Sequence, residues 1–207
     1  IVAIFVITFL VMIQRFYRNL LSDEGYLMFT LPVKSSSHIW AKTITSLLWI
    51  LASGLVTFLS VLILAADPSW LGSFWSDFQQ MMNRIHLELG LNGYLFLIEF
   101  FLLLLTSVWS GIVMIYFCIS IGHRFSSHRL LAAFGTFLGF NVILQLLFSI
   151  FGHVGIQVFH IDQWLQNMEA ISASHTFLLG SLLINLVIGI FCFLVTNNIL
   201  TKKLNLD

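Results

Sequence analysis

The sequence predicts an all-α, polytopic membrane helix bundle, and this prediction comes from composition and from the distribution of apolar residues. Of 207 residues, 59% are hydrophobic and 9% are charged, with nine Lys and Arg against nine Asp and Glu. A soluble domain carries about 25% charged residues, so the composition excludes a cytosolic enzyme, a nucleic-acid-binding domain and a disordered chain. The apolar residues gather in five runs without strand-like alternation, which excludes a transmembrane β-barrel and favours helices.

The five apolar runs define the predicted spans. A membrane-spanning helix needs about 20 mostly apolar residues. The first run is shorter than the others and gains length if the helix continues upstream or through Gln14. None of the runs contains proline, because Pro32 and Pro68 both fall in connections. The predicted spans, within a single transmembrane domain at 1–207, are residues 1–13, 39–66, 94–121, 130–152 and 177–200.

Basic residues cluster in alternate connections, and this asymmetry predicts the orientation. Short cytoplasmic loops carry an excess of Lys and Arg. Of the nine basic residues, only Arg84 lies in the connections at 67–93 and 153–176. The other eight basic residues are Arg15, Arg18, Lys34, Lys42, Arg124, Arg129, Lys202 and Lys203. We therefore expect a multi-pass protein of the cell membrane with its C-terminus in the cytoplasm.

The same orientation predicts a further span upstream of the sequence. Five spans with a cytoplasmic C-terminus leave the first residue outside, and the chain opens on Ile1 rather than Met, within an apolar run. We expect the full protein to have six spans and a cytoplasmic N-terminus. Five of those spans are then visible here.

The cytoplasmic segment at 14–38 predicts a short helix with an exposed apolar side. Ser22 and Asp23 are good N-cap residues, and Glu24 is favourable near the positive end of a helix. Pro32 ends the helix, because the residue before a proline avoids helical torsions. The apolar side consists of Tyr26, Leu27, Phe29 and Leu31. Such a patch marks a membrane or a partner contact, and the residues leave both open.

The external segment at 67–93 predicts an amphipathic helix on the outer membrane surface. Asp67 and Pro68 are typical of a helix start, apolar and aromatic residues then recur at three- and four-residue spacing, and Gly90 favours a stop. One interpretation is a membrane-anchored lid or spacer, and the other is a substrate-binding surface.

Small residues predict two local features around the fourth long apolar run. Gly152 and Gly155 would let the second external amphipathic segment, at 153–176, dip partly back into the bilayer where protein or water shields the backbone. A seam of small residues would let a neighbouring helix approach closely, as internal packing or as a subunit interface. The seam consists of Ala132, Gly135 and Gly139.

Four polar side chains lie within the predicted spans, where each needs a partner or water. The four residues are Glu99, Asn141, Gln145 and Asn185. They line a translocation path in one interpretation and form interhelical hydrogen bonds in the other. Asn141 and Gln145 share one helix face because they lie four residues apart.

The sequence contains none of the short motifs that carry covalent chemistry. It lacks the phosphate-binding loop of ATPases, the zinc-protease H-E-x-x-H motif, the G-x-S-x-G motif and the C-x-x-C pair. We therefore expect a chain that is not an enzyme, has no catalytic residues and binds no metal or cofactor of its own. Cys118 and Cys192 lie in apolar runs and predict no disulfide framework.

Distinctive strings of residues surround the first cytoplasmic segment and the tail. They read RFYRNL at 15–20, DEGYLMFTLPV at 23–33 and HIWAK at 38–42, and TNNIL at 196–200 runs into KKLNL at 202–206. Together, and in span order over essentially the whole chain, they resemble the small permeases of Gram-positive bacteria that belong to the type-2 exporter class of ABC transporters.

The resemblance implies partners and contact residues. In that class each permease has six spans, and two permeases pair over two cytoplasmic ATPase subunits, which hold ATP and Mg. The implied partners are thus a nucleotide-binding ATPase subunit, a second copy or a homologous permease, and the lipid bilayer. A coupling helix would lie at 22–31, a smaller ATPase contact at 122–129 and re-entrant helices at 153–175, whereas the external helix at 67–90 is long for the class. The implied contact residues are Ser22, Asp23, Glu24, Gly25, Tyr26, Leu27, Phe29, Pro32, His123, Arg124 and Arg129.

Two functions follow as expectations. The first is the membrane-spanning permease subunit of an ATP-driven exporter for an amphipathic peptide or a lipid. The second is a membrane-embedded accessory protein that senses a peptide, or confers immunity to it, without transport.

Overall fold

The computed structural model describes residues 7, 11, 13–14, 33–65, 68–125, 128–159, 163 and 167–202. The regular elements within these residues are all α-helices, and five of them extend over more than five turns. In chain order they are α1 (Ser35–Ala65), α2 (Pro68–Leu89), α3 (Leu91–Gly122), α4 (Arg129–Phe159) and α5 (Ala170–Lys202).

Four of these helices, α1, α3, α4 and α5, are long and apolar enough to cross a membrane. The all-α character predicted from hydropathy is therefore confirmed, and the four helices have the length and composition that a multi-pass membrane protein requires. Each helix extends a few residues beyond at least one end of its predicted span. The first predicted span, at 1–13, lies almost entirely outside the described residues, so the count of five spans stays a prediction.

Helix α3 lies at the centre of the bundle and packs most extensively against α5. Its second half is buried on several sides, and Val113, Phe117 and Cys118 form one apolar cluster with Cys192 of α5. Both cysteines are buried and free. The two helices run parallel, because Glu99 of α3 meets the first turns of α5 and the later part of α3 meets the later part of α5.

Two glycines allow α3 to approach α5 and α4 closely. A side chain at Gly189 of α5 would overlap the Trp109 ring of α3, and a side chain at Gly122 would overlap Ala133 of α4. The predicted seam contributes no such approach among the described residues, since a Cβ atom at Gly135 or at Gly139 would have no neighbour within 4 Å. Of the two roles predicted for the seam, internal packing is thus not seen in the described part of the chain.

Helix α2 forms a hairpin with α3 and has the predicted ends. It begins at Pro68, and Gly90 ends it with a φ of 55°, a left-handed conformation that glycine adopts without steric cost. Gly93, on the first turn of α3, is buried directly against Ile85 and Leu89 of α2. Much of the remaining apolar surface of α2 is exposed, including Trp75.

Helix α4 is uninterrupted where the sequence suggested a break. It continues through Gly152 and Gly155 to Phe159, so these glycines do not turn the chain back. Two glycines are tolerated in a helix at roughly 1 kcal/mol each, and the surrounding apolar residues keep the run helical. The predicted external segment at 153–176 falls partly outside the described residues.

Candidate functional site

The structure gathers basic residues at one end of the bundle. Ile39 of α1 packs in one cluster with Tyr116 and Ile119 of α3 and Leu200 of α5. The start of α1 and the ends of α3 and α5 are therefore close together, and α4 starts beside the end of α3. The basic residues at this end, called the basic end below, are Lys34, Lys42, Arg124, Arg129 and Lys202.

The turn between α3 and α4 brings two of the predicted contact residues together. His123 caps α3 through its backbone N–H, which donates to the Ile119 carbonyl at 2.9 Å. Arg129 Nη1 lies 3.3 Å from His123 Nε2. Because a guanidinium only donates, the imidazole nitrogen accepts and the ring carries its hydrogen on Nδ1. Arg124 is exposed on the same turn. His128 adopts a φ of 59°, a left-handed conformation that is uncommon for residues other than glycine.

The opposite end of the bundle contains a charged contact between α3 and α5. Glu99 Oε2 lies 2.7 Å from His175 Nδ1, and the side chains are only 15% and 18% exposed. Because a carboxylate only accepts, Nδ1 donates the hydrogen. Phe96, one turn before Glu99, stacks on the imidazole with ring centroids 4.0 Å apart and planes at 7°. Glu99, predicted as a polar group within a span, therefore has a specific partner.

The pairing of Glu99 with His175 was missed because the sequence assigned His175 to an external connection. The pairing could be predicted from the parallel packing of α3 and α5, in which contacts recur at a nearly constant offset in residue number. Gly189 meets Trp109 at an offset of 80 residues, and His175 meets Glu99 at an offset of 76. The two offsets differ by about one helical turn. Knowledge of either contact therefore predicts the position of the other to about one turn.

A second polar contact that the sequence did not predict joins α1 to α3 near the basic end. Ser46 Oγ and Tyr116 Oη are 2.7 Å apart and buried, and Tyr116 Oη also donates to the Lys42 carbonyl at 3.4 Å. A buried tyrosine needs a partner for its hydroxyl. The signal available from sequence is therefore Tyr116 itself, a tyrosine far inside an apolar run.

The three predicted amide residues bond locally or face outward. Asn141 Nδ2 donates to the Phe137 carbonyl at 2.8 Å and Asn185 Nδ2 donates to the Ser181 carbonyl at 2.9 Å, each within its own helix. Gln145 is exposed. The structure shows no contact of these residues with Glu99 in the described part of the chain, and a common translocation path stays a prediction.

The whole of the predicted coupling helix, at 22–31, lies outside the described residues. This applies to Ser22, Asp23, Glu24, Gly25, Tyr26, Leu27, Phe29 and Pro32.

Two wholly apolar grooves run along the outside of α5. One, of about 570 Å³, lies against α1 and α3 and includes Trp40, Trp109 and Phe193. The other, of about 530 Å³, lies between α4 and α5 and includes Phe140 and Phe191. Their linings suit hydrocarbon chains rather than polar ligands. Among the described side chains, no group of three His, Cys, Asp or Glu residues is placed to hold a metal ion.

Comparison with known proteins adds no relative: no family model, curated protein or solved structure matches the chain.

Proposed function

We propose that the chain is the permease subunit of an ATP-driven ABC exporter. The observation that carries the proposal is the basic end, where the described Lys and Arg residues other than Arg84 collect at one end of a bundle of apolar helices. The segment that resembles the coupling region of the type-2 class directly precedes α1 in the sequence, and α1 begins at this end. An ATPase subunit seated there would contact the coupling segment and the α3–α4 turn together.

In this proposal the basic end faces the cytoplasm of a cell membrane, following the excess of Lys and Arg in cytoplasmic loops. The C-terminus lies on the same side. The partner ATPase holds ATP and Mg, and this chain performs no covalent step. A second copy or a homologous permease completes the transporter, and closure of the ATPase pair rocks the spans between access states.

The substrate class follows from the surfaces that the helices offer. The grooves beside α5 are apolar, and the charged Glu99–His175 contact lies at the external end of the same helix. An amphipathic peptide or a lipid matches both features, since it presents an apolar body and a polar head. Glu99, Asn141, Gln145 and Asn185 are the residues assigned to its path.

Reconstitution with the ATPase subunit tests the proposal. The chain should co-purify with a protein that contains a phosphate-binding loop, and transport should stimulate ATP hydrolysis. Charge reversal at Asp23 and Glu24, or Phe29→Ala, should remove that stimulation and leave membrane insertion intact. Asp77→Lys on the exposed side of α2 is the matched charge-reversal control. Normal coupling in the Asp23, Glu24 and Phe29 variants would refute the assignment.

The exposed aromatic side of α2 supports one alternative, an accessory protein for sensing a peptide or for immunity to it. Trp75 and Phe78 stack on each other with ring centroids 5.9 Å apart, and both are exposed. In that case a peptide binds α2 and no ATPase co-purifies. Substitution of Trp75 by Ala then abolishes peptide binding, whereas in a permease it changes only the anchoring of the helix.

A further inference from the structure

His175 has one ring nitrogen in use and one that is buried without a partner. Its Nδ1 donates to Glu99 Oε2 at 2.7 Å, so the second nitrogen, Nε2, carries no hydrogen in the neutral ring and is an acceptor. Among the described residues, nothing donates a hydrogen bond to this buried nitrogen. The imidazole therefore keeps a free lone pair at the contact between α3 and α5, and a lone pair of this kind is where a histidine takes up a proton.

Two contacts hold the imidazole in place. The Glu99 carboxylate accepts from Nδ1, and the Phe96 ring stacks on the imidazole with centroids 4.0 Å apart. Both contacts strengthen when the imidazole is positively charged, the first as a charge-assisted hydrogen bond and the second as a cation–π contact. A protonated ring therefore stays where it is, and its new N–H stays where Nε2 is buried.

The described part of the chain offers that N–H no acceptor. Glu99 and His175 form no further hydrogen bond or ion pair among the described residues. His86 of α2 is paired with Tyr94, at 3.3 Å. The titratable or charged residues at this end of the described helices, besides Glu99 and His175, are Asp77, Arg84, His86, Glu88, Tyr94, His153 and Glu169. A buried donor without an acceptor is costly, and more so on a charged group, so water must reach Nε2.

We propose that His175 Nε2 is a proton-binding site, and that a proton taken up there loosens the packing of α3 against α5 and admits water at this end of the bundle. Histidine is the side chain whose ordinary titration falls between about pH 5 and pH 8, so the contact is closed at slightly alkaline pH and loosened in mild acid. The proton comes from water and returns to it, and the Glu99 carboxylate balances the charge.

The proposed function adds only the side of the membrane. In that orientation the Glu99–His175 contact lies at the external end of the bundle, so the pH outside the cell sets its state. The proton site itself rests on the contacts of the imidazole and does not depend on the orientation.

Cysteine accessibility in the purified full chain tests this inference. Leu178 lies one turn after His175 on the same face of α5 and is half-buried, whereas Thr176 is exposed. The rate at which a water-soluble maleimide labels Leu178→Cys is divided by the rate for Thr176→Cys at the same pH, which removes the effect of pH on the labelling reaction. Both native cysteines are buried, and the chain without an introduced cysteine is the blank.

The ratio should rise at least about fivefold from about pH 7.5 to about pH 5.5, the range in which histidine titrates. This is the change in an opening equilibrium that corresponds to one unsatisfied buried donor. His175→Asn places an amide near the position of Nδ1 but cannot take up a proton, so it should show the same ratio at both pH values. His175→Gln carries the test if His175→Asn elutes as aggregate.

His86→Asn on α2 and His153→Asn on α4 are the matched controls, because each removes another histidine at this end of the bundle. Both should retain the rise. Loss of the rise in either control would assign the proton to that histidine and overturn the inference.

Two other results would overturn it. One is an equal ratio at both pH values in the chain that retains His175. The other is a rise that persists in His175→Asn or His175→Gln, which would assign the proton to Glu99 or to another group. The measurement contains no ATPase and needs no orientation in a membrane, so failure of the proposed function is read independently from the co-purification.

Discussion

At the residue scale, Glu99 and His175 are the charged side chains whose surroundings are best defined. The pair joins the two most closely packed helices, and Phe96 covers one face of the imidazole. Removing one member of a mostly buried pair leaves the other without its partner, which costs more than the intact pair contributes. The contact is therefore a sensitive reporter of whether α3 and α5 stay together at this end.

We predict that Glu99→Gln and His175→Ala each lower the free energy of unfolding by about 1–2 kcal/mol, in the upper range for interhelical polar contacts in membranes. The double variant should lose less than the sum of the two, because the interaction can be lost only once. Thermal unfolding in detergent measures all three. Asn141→Ala, whose amide bonds its own helix, is the control, and additive losses would show that the two residues do not interact.

The Ser46–Tyr116 contact gives a second residue-scale prediction. Tyr116→Phe should destabilise the fold by about 1–2 kcal/mol, because it leaves the Ser46 hydroxyl buried without its tyrosine partner. Adding Ser46→Ala should recover part of that loss, since both ends of the bond are then apolar. Thr45→Ala, an exposed neighbour whose hydroxyl bonds to its own helix, should have little effect in the same unfolding measurement.

At the element scale, the packing of α5 on α3 depends on Gly189. Gly189→Ala should destabilise the bundle by about 1–3 kcal/mol, because the added methyl group overlaps the Trp109 ring and forces the helices apart. Gly180→Ala on the same helix meets nothing within 4 Å and should be neutral or slightly stabilising through helix propensity. Unfolding curves of the two variants that coincide would refute the close approach.

Sequence reasoning predicted helix ends better than helix contacts. Pro68 and Gly90 bound α2 as expected, because capping and left-handed turns depend on one or two local residues. Which small residues lie in contacts within the chain was not predicted, since Gly135 and Gly139 of the seam are open whereas Gly122 and Gly189 are covered. A glycine permits a close approach, but only the tertiary arrangement decides which glycine is used.

At the scale of the whole molecule, hydropathy predicted the long apolar helices, and the charge pattern predicted that the basic helix ends lie together. The partner of Glu99 could not be predicted in this way. In a helix that is apolar on all sides, as α5 is, hydropathy does not distinguish the face that packs from the face that meets lipid. His175 was therefore indistinguishable by sequence from an interfacial residue.

Orientation gives the whole-molecule prediction. Ser37 lies at the basic end and Ser76 on α2, and both are exposed, whereas the two native cysteines are buried. A membrane-impermeant maleimide added to intact cells should label Ser76→Cys and leave Ser37→Cys unlabelled until the cells are opened. The reverse pattern would place the basic end outside and would contradict the cytoplasmic site for an ATPase.

The length of the helices bears on how deep the charged groups lie. Helix α3 has 32 residues, about 48 Å at 1.5 Å per residue, against a hydrocarbon thickness of about 30 Å. A tilt of about 50° would be needed to fit the whole helix within the hydrocarbon layer, which is beyond the usual range of tilts. A helix that is placed symmetrically and is not tilted would instead project about 9 Å beyond the hydrocarbon layer at each end. Glu99 is eight residues from the start of α3, about 12 Å along the axis. In a bilayer centred on α3, the carboxylate would lie just beneath the headgroups rather than at mid-bilayer. Water near the headgroups would then lower the cost of its charge.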